Sequence, residues 1–314
     1  MIEQRMPLGY YIGHANDVEY RHKASSGGIG TILQKYLLST GQYGTSVTFQ
    51  FISEKCMYEP VLIHSAEEVN ICGSIYQDID IVRFVREHLG EICDGIVVSC
   101  PPCQVSAIRN MLKKAEIPCF IISFCCSGQT TIEGTWKYYE LLGINKEDVA
   151  NMQYRGNGWP SGIQIWLKDG TKIFHENYTE PWKTLHASKF YQPKRCFYCV
   201  FDTSRTADVS LADPWLEDYM RFDKEGNTLF LFNTVLGLKA VNQLRASALL
   251  SFDEVSSDIY CTAQRNNLSK YDRVHNQKKH LQRVIKLTNN SLVFHLFTRN
   301  LFLIRLFSKF LPRL

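Results

Sequence analysis

Cys196 and Cys199 stand two residues apart in KRCFYCVFDTSRTADVSLADPW, residues 194–215. That spacing lets two thiolates face one metal. It supplies only half of a tetrahedral zinc site or of an iron–sulfur cube, each of which takes four protein ligands. The missing pair must come from elsewhere in the chain. Cys103 follows Pro101-Pro102 at what reads as a strand–helix turn, and Cys126 follows the next apolar strand. Adjacent parallel strands would bring those turns together, and a later loop folded over them would complete a set of four thiolates.

Other motifs offer chemistry with bland alternatives beside it. CPPCQVSAIRNM (100–111) also reads as a thioredoxin-like dithiol at a helix start. That fold needs its motif near the beginning of about 100 residues, whereas a long α/β pattern precedes it here. SSGGIGT (25–31) offers backbone N–H groups and a helix dipole to an anion, or is a tight turn whose helix Ser25 or Ser26 caps. It is neither a Walker loop nor a dinucleotide fingerprint. YRGNGWPSG (154–162) combines Arg155, glycines and an aromatic residue, suited to a flavin, to a substrate or to an exposed turn. Asp208 and Asp213 lie a strand apart, and Asp213 before Pro214 also suits a turn start. Cys56, Cys72, Cys93, Cys119 and Cys261 read as small apolar core residues. Cys100 and Cys125 read as ligands or neighbours of ligands.

These groups need elements to position them. A helix is predicted over 24–41, strands over 45–53 and 59–65, and a helix over 80–91. A buried strand then covers 93–100, a helix 104–116, a strand 117–126 and a helix 131–143. Strand–helix alternation argues for a parallel sheet, in which sites form at the carboxyl ends of strands. Cys100, Cys103, Cys125 and Cys126 all fall at such ends. After residue 151 a hairpin turns at Lys168-Asp169-Gly170, the Cys-x-x-Cys loop follows, and strands at 207–213 and 228–234 precede a helix at 238–247. Residues 264–286 read as a polar, basic surface helix.

Composition bounds the class. Apolar residues make up 45% and charged residues 21% of the 314, which suits a globular protein rather than a disordered one. The net charge of +4 is accounted for by Arg299, Arg305, Lys309 and Arg313 in a tail, 292–314, that has no Asp or Glu. The body is therefore neutral, which argues against a nucleic-acid partner. With 11 cysteines, an odd number, and no apolar leader at the N-terminus, a cytoplasmic, reducing location is expected. His295 joins the four tail cations in a helical stripe about 120° wide. The tail reads either as a helix docked on protein or as an interfacial anchor on an anionic membrane surface, which would make the chain peripheral on the inner face.

The ordered set SSGGIGTIL, CGSIYQ, CPPCQVSAIR, FCCSG, YRGNGWPSG and RCFYCVFDTSRTADVSLADPW resembles the beta-subunit family of coenzyme F-420 hydrogenases and dehydrogenases. The resemblance spans roughly residues 8–250. It implies an oxidoreductase carrying FAD beside one [4Fe–4S] cluster. Cys103, Cys126, Cys196 and Cys199 would be the cluster ligands, with Cys126 preferred to Cys125 because the family's cysteine stands one residue before a Gly, as in Cys126-Ser127-Gly128. Ser26, Gly27, Gly28, Ser74 and Tyr76 would approach the flavin, with Arg155 and Asp213 in the same pocket. Deazaflavin use is implied by the family name alone and is not favoured.

Three departures matter. Cys100-Pro101 replaces the family's Gly-Thr. The N-terminal ferredoxin-like module of many members is not seen, which implies a separate electron donor, a ferredoxin-like protein or a reduced cofactor. The basic tail lies outside the shared core. Related chains without that module occur in surface-polysaccharide biosynthesis settings.

The expectation is an α/β fold with a mixed sheet, a parallel core flanked by helices, a smaller antiparallel portion and a helical C-terminal tail. Residues 1–250 form the redox domain (1–92 and 93–250), 251–291 a basic helical extension and 292–314 the tail. The alternatives are a non-catalytic electron-transfer or adaptor subunit and a structural zinc protein.

Overall fold

The computed structural model describes residues 6–310 apart from 202 and 204. Eleven strands among these residues are β1 (Gly9–Ala15), β2 (Thr45–Ile52), β3 (Met57–Ile63), β4 (Ile96–Ser99), β5 (Cys119–Phe124), β6 (Val149–Gln153), β7 (Gly162–Leu167), β8 (Lys172–Glu176), β9 (Val209–Ala212), β10 (Thr228–Phe232) and β11 (Leu250–Val255). The helices are α1 (Val18–Lys23), α2 (Ile29–Ser39), α3 (Ile81–Glu87), α4 (Pro102–Lys114), α5 (Ile132–Leu141), α6 (Trp182–Ala187), α7 (Lys194–Phe197), α8 (Glu217–Phe222), α9 (Val235–Ala246), α10 (Ser257–Leu268), α11 (Lys270–Asn276), α12 (Lys278–Thr288), α13 (Ser291–Phe297) and α14 (Leu301–Phe310).

Eight strands form one mixed sheet in the order β11-β1-β10-β9-β5-β4-β2-β3. Its centre, β2, β4, β5 and β9, is parallel, and both flanks are antiparallel. The expected mixed sheet with a parallel core is thus present. So is the smaller antiparallel portion, a three-stranded sheet β6-β7-β8. The hairpin was legible from Asp169-Gly170. β1, β6 and β11 lacked a strong local signal and owe their strand form to their sheet partners.

Both faces of the parallel centre are covered, which is why these strands read as continuous apolar runs. Ile96, Val98 and Ile121 pack against Val85 of α3 and Ile108 and Leu112 of α4. Their alternating neighbours Val97, Phe120 and Ile122 pack against Leu33 and Leu37 of α2 and Val241 and Leu244 of α9. A third core, built on Tyr138, Tyr139, Met152, Tyr154 and Trp182, joins the small sheet to the C-terminal helices.

Several local expectations are corrected. Neither Ser25 nor Ser26 caps α2. Its N-cap is Gly28, in the left-handed region at φ +76°, with no side-chain bond to the helix. Cys196 sits on a one-turn helix, α7, rather than in a loop. The stretch 264–286 is not one surface helix. It breaks at Ser269 and Gln277 and buries Gln264, Lys270, Leu281 and Val284.

The tail is also two helices rather than one. α14 buries Ile304 and Phe307 in the third core, where Phe307 meets Phe190 at a ring-centroid distance of 4.6 Å. Arg305 pairs with Glu180 at 2.5 Å. The docked-helix reading therefore describes the tail as far as residue 310. Arg313 lies outside the described residues.

Candidate functional site

Two neighbouring loci gather the residues singled out above. At the first, Cys103, Cys126, Cys196 and Cys199 line one small cavity, together with Arg195 and Lys270. Its atom-free space is about 340 Å³, open mouth included. The parallel pair β4 and β5 delivers the first two cysteines. Ser99 is level with Ile122, so β4 ends two residues short of β5, and both chains leave at the same edge of the sheet. Cys103 sits at the second position of α4, where the helix dipole favours a thiolate. α7 and the turn after it supply Cys196 and Cys199.

Cys125 and Cys126 directly follow the end of β5 and go separate ways, Cys126 into the cavity. Cys125 Sγ lies 3.6 Å from Tyr260 Oη and packs with Ile12 and Leu229, away from the cavity. Cys100 is fully buried beside Val98, Val105 and Ala207. The Cys-Pro-Pro-Cys pair therefore has one thiol in the core and one in the cavity, an arrangement unsuited to a surface dithiol exchanger.

Burial raises the Cys103 thiol to about 12, helped by repulsion from the other three sulfurs. Burial also raises Cys126, against the opposing pull of Lys270, and Cys196. These three thiols hold their protons more firmly than free ones, and metal binding must displace them. Among the described residues, no three His, Cys, Asp or Glu side chains close tightly enough to hold a single ion. A zinc ion would need four sulfurs at about 2.3 Å. A cube is ligated through four different irons and holds its thiolates farther apart. Four thiols on one cavity are a donor set that suits either a zinc ion or a [4Fe–4S] cluster.

At the second locus the Ser25–Gly28 turn, the 73–76 segment, the 154–162 loop and the end of β9 converge. Arg155 is their hub and is only 3% exposed. Its Nη1 donates to Asp213 Oδ2 at 2.6 Å, its Nη2 to the Ser25 carbonyl at 2.6 Å and its Nε to Ser161 Oγ at 3.1 Å. Its guanidinium carbon lies 6.0 Å from the Trp215 ring centre, and Trp215 meets Trp159 at 5.3 Å and Tyr178 at 5.7 Å. Ser74 Oγ donates to Ser25 Oγ at 3.0 Å. Gly73 lies so close to the hub that a Cβ there would sit 2.2 Å from the Arg155 carbonyl oxygen. Burial raises the Tyr76 phenol, and Tyr76 interacts with Arg155, Asp213 and Tyr178.

Ser74, Tyr76, Arg155 and Asp213 are thus brought together. Ser26 points elsewhere, sharing a 3.0 Å contact with Thr228 Oγ1, and the Gly27 N–H donates to that same oxygen at 2.8 Å. Gly27 must lack a side chain because a Cβ would meet the Gly13 carbonyl at 2.5 Å. Arg155 spends its hydrogen bonds within the protein and acts as a clamp. The groups left to receive an aromatic, hydrogen-bonding ligand are different ones. The uncapped start of α2 is one. The indole N–H of Trp159, buried and without a partner among the described residues, is another.

One strand-like segment joins the loci. Ser74 touches the Ser-Gly-Gly turn, Tyr76 accepts a bond from Thr130 N at 2.8 Å, Gln77 bridges to Thr130, and Asp78 Oδ2 accepts from Arg195 Nη1 at 2.8 Å beside the cysteines. Four residues of extended chain span at most about 14 Å.

Sequence reasoning missed Lys270, Gln264, Trp159, Trp215 and Tyr178. Gln264 donates to the Asp213 carbonyl at 2.6 Å. Only Trp159 and Trp215 carried a signal, their position inside two motifs already singled out.

Comparison with known proteins bears on the same segments. Residues 10–85 match the N-terminal model, and residues 93–258 the C-terminal model, of the coenzyme F420 hydrogenase/dehydrogenase beta subunit. In fold the chain is similar to a chain of the F420-reducing [NiFe] hydrogenase complex from Methanosarcina barkeri. The TM-score is 0.66 and the identity 18%, over 88% of this chain and 92% of that one. No match emerges among curated proteins.

Proposed function

Since the chain belongs to the coenzyme F420 hydrogenase/dehydrogenase beta-subunit family, a family of oxidoreductases, we propose that it is an electron-transferring oxidoreductase subunit that holds a [4Fe–4S] cluster on Cys103, Cys126, Cys196 and Cys199 and FAD at the Ser-Gly-Gly locus. The observation that carries this reading is the convergence of four thiols from three separate segments on one cavity. When bound, such groups supply hydride and one-electron chemistry on the flavin side and single-electron chemistry on the cluster side.

The protein's own part is positioning. The neighbouring carboxyl ends of the parallel pair β4 and β5 bring Cys103 and Cys126 to one cavity, and the Asp78–Arg195 pair ties α7 to the same region. The Arg155–Asp213 clamp ties three loops around the second locus. Gly27 and Gly73 allow backbone to approach backbone there. The 74–78 segment runs from Ser74 at one locus to Asp78 beside the other, a backbone span of at most about 14 Å.

A separate redox partner belongs to the proposal, because one chain with one cluster needs a donor. The similar chain from Methanosarcina barkeri is itself part of a complex. The adaptor alternative differs in having no substrate turnover of its own.

Anaerobic purification tests the reading. About four iron and four sulfide per chain with one flavin support it, and a colourless protein holding one zinc overturns it. A peripheral site on anionic lipid is kept in the proposal by Leu292, Leu296 and Phe302, which stay exposed on helices whose other face is docked. Co-sedimentation with anionic vesicles, lost on Leu292→Ser with Phe302→Ser, tests that point. No helix among the described residues is long and apolar enough to cross a membrane.

A further inference from the structure

Lys270 opens α11, past the 93–258 segment that matches the family. It is 4% exposed and lines the thiol cavity. Its Nζ donates to the Cys126 carbonyl and, at 3.1 Å, to the Phe201 carbonyl. Those oxygens belong to the two loops that carry Cys126 and follow Cys199. Both are neutral, and among the described residues no carboxylate forms an ion pair with Lys270. Burying an unpaired ammonium costs several kcal/mol.

A second lysine deepens the imbalance. Lys189 lies with its Nζ 5.6 Å from the Phe197 ring centre and bonds the neutral Gln192. Burial lowers its pKa first, and repulsion from Arg273 and Lys270 adds to this, while Cys196 pulls the other way. Among the described residues, then, Lys270 and Lys189 stand near four thiols with no carboxylate paired to either of them. An anionic occupant would balance their charge, and four thiolates on a [4Fe–4S] core carry net negative charge.

We propose that Lys270 is a positioning residue and fixed counter-charge for the thiol cavity, through which the C-terminal helices set the reduction potential of the group held there. This rests on the iron–sulfur reading above. One-electron reduction adds a negative charge beside the ammonium. A cation there favours the reduced form, and its removal makes that form harder to reach.

The test uses the full chain, purified anaerobically and titrated with dithionite while visible absorbance and electron paramagnetic resonance are followed. Lys270→Gln keeps an N–H donor for the carbonyls and removes the charge, whereas Lys270→Arg keeps the charge. Lys270→Gln should retain wild-type iron and lose about tenfold in electron affinity, which is about 59 mV more negative for a one-electron couple. Lys270→Arg should restore most of the shift. Full iron with an unchanged potential in Lys270→Gln overturns the proposal. So does an equal shift, or iron loss, in both variants, since packing rather than charge would then be at work. Iron lost in Lys270→Gln and kept in Lys270→Arg supports it. A wild-type protein without iron and sulfide removes the underlying reading, and this inference with it.

Discussion

Arg155 and Asp213 form a two-pronged ion pair, Nη1–Oδ2 at 2.6 Å and Nη2–Oδ1 at 3.3 Å, in which the arginine is nearly inaccessible to solvent. Sequence reasoning placed both in a flavin pocket. The structure joins them to each other across 58 residues. Removing one partner of a buried pair leaves the other charged and desolvated. Asp213→Ala should therefore cost about 3–5 kcal/mol, measured by urea denaturation. Arg155→Met combined with Asp213→Leu should cost less than the two single changes summed. An unchanged midpoint in Asp213→Ala would show that the clamp carries no stability.

Cys125 and Cys126 are adjacent in sequence and go separate ways. Cys126→Ser should abolish the iron–sulfur absorbance and most of the bound iron. Cys125→Ser, changing a thiol packed near Tyr260, should leave iron content at the wild-type level. Reversed results would move the ligand assignment by one residue.

His186 lies stacked on Trp182 and is hydrogen-bonded to Thr130 at 2.8 Å. Burial lowers its pKa to about 4, with repulsion from Lys189 adding to this. In the unfolded chain an ordinary imidazole titrates near 6.5. Between those values the unfolded state binds more protons, so stability rises with pH through the window and is lost as pH falls from about 6.5 toward 4. The full effect is on the order of 3 kcal/mol, at about 1.4 kcal/mol per pH unit. His186→Gln should flatten this slope in denaturation curves at pH 7 and pH 5. An equal slope in the variant would assign the pH dependence to other groups.

The docked tail predicts a contrast along two neighbouring helices. Phe307 is buried in the third core and Leu292 is exposed. Phe307→Ala should cost about 3–5 kcal/mol. Leu292→Ala should change stability by no more than about 0.5 kcal/mol. Thermal unfolding of both variants separates docking from mere proximity.

Much of this protein was determined by its sequence alone. The strand–helix alternation of residues 45–143, the hairpin at Asp169-Gly170 and the placing of Cys103 and Cys126 after adjacent strands follow from apolar periodicity and turn chemistry. Those forces act within a few residues and leave a local trace. The ordered motifs added the family and its four cysteines.

Tertiary structure decided the rest, because it depends on partners far along the chain. Ser25 and Ser26 look like caps, yet Gly28 begins the helix: Ser25 is tied to Ser74 and to Arg155, and Ser26 to Thr228. The tail reads as apolar around most of its circumference, but only the third core determines which residues, Ile304 and Phe307, are buried. Lys270 carries no local mark that separates it from the other lysines of a basic stretch. It reaches the cavity from 144 residues beyond Cys126, where burial gives its charge a force that solvent would have screened away.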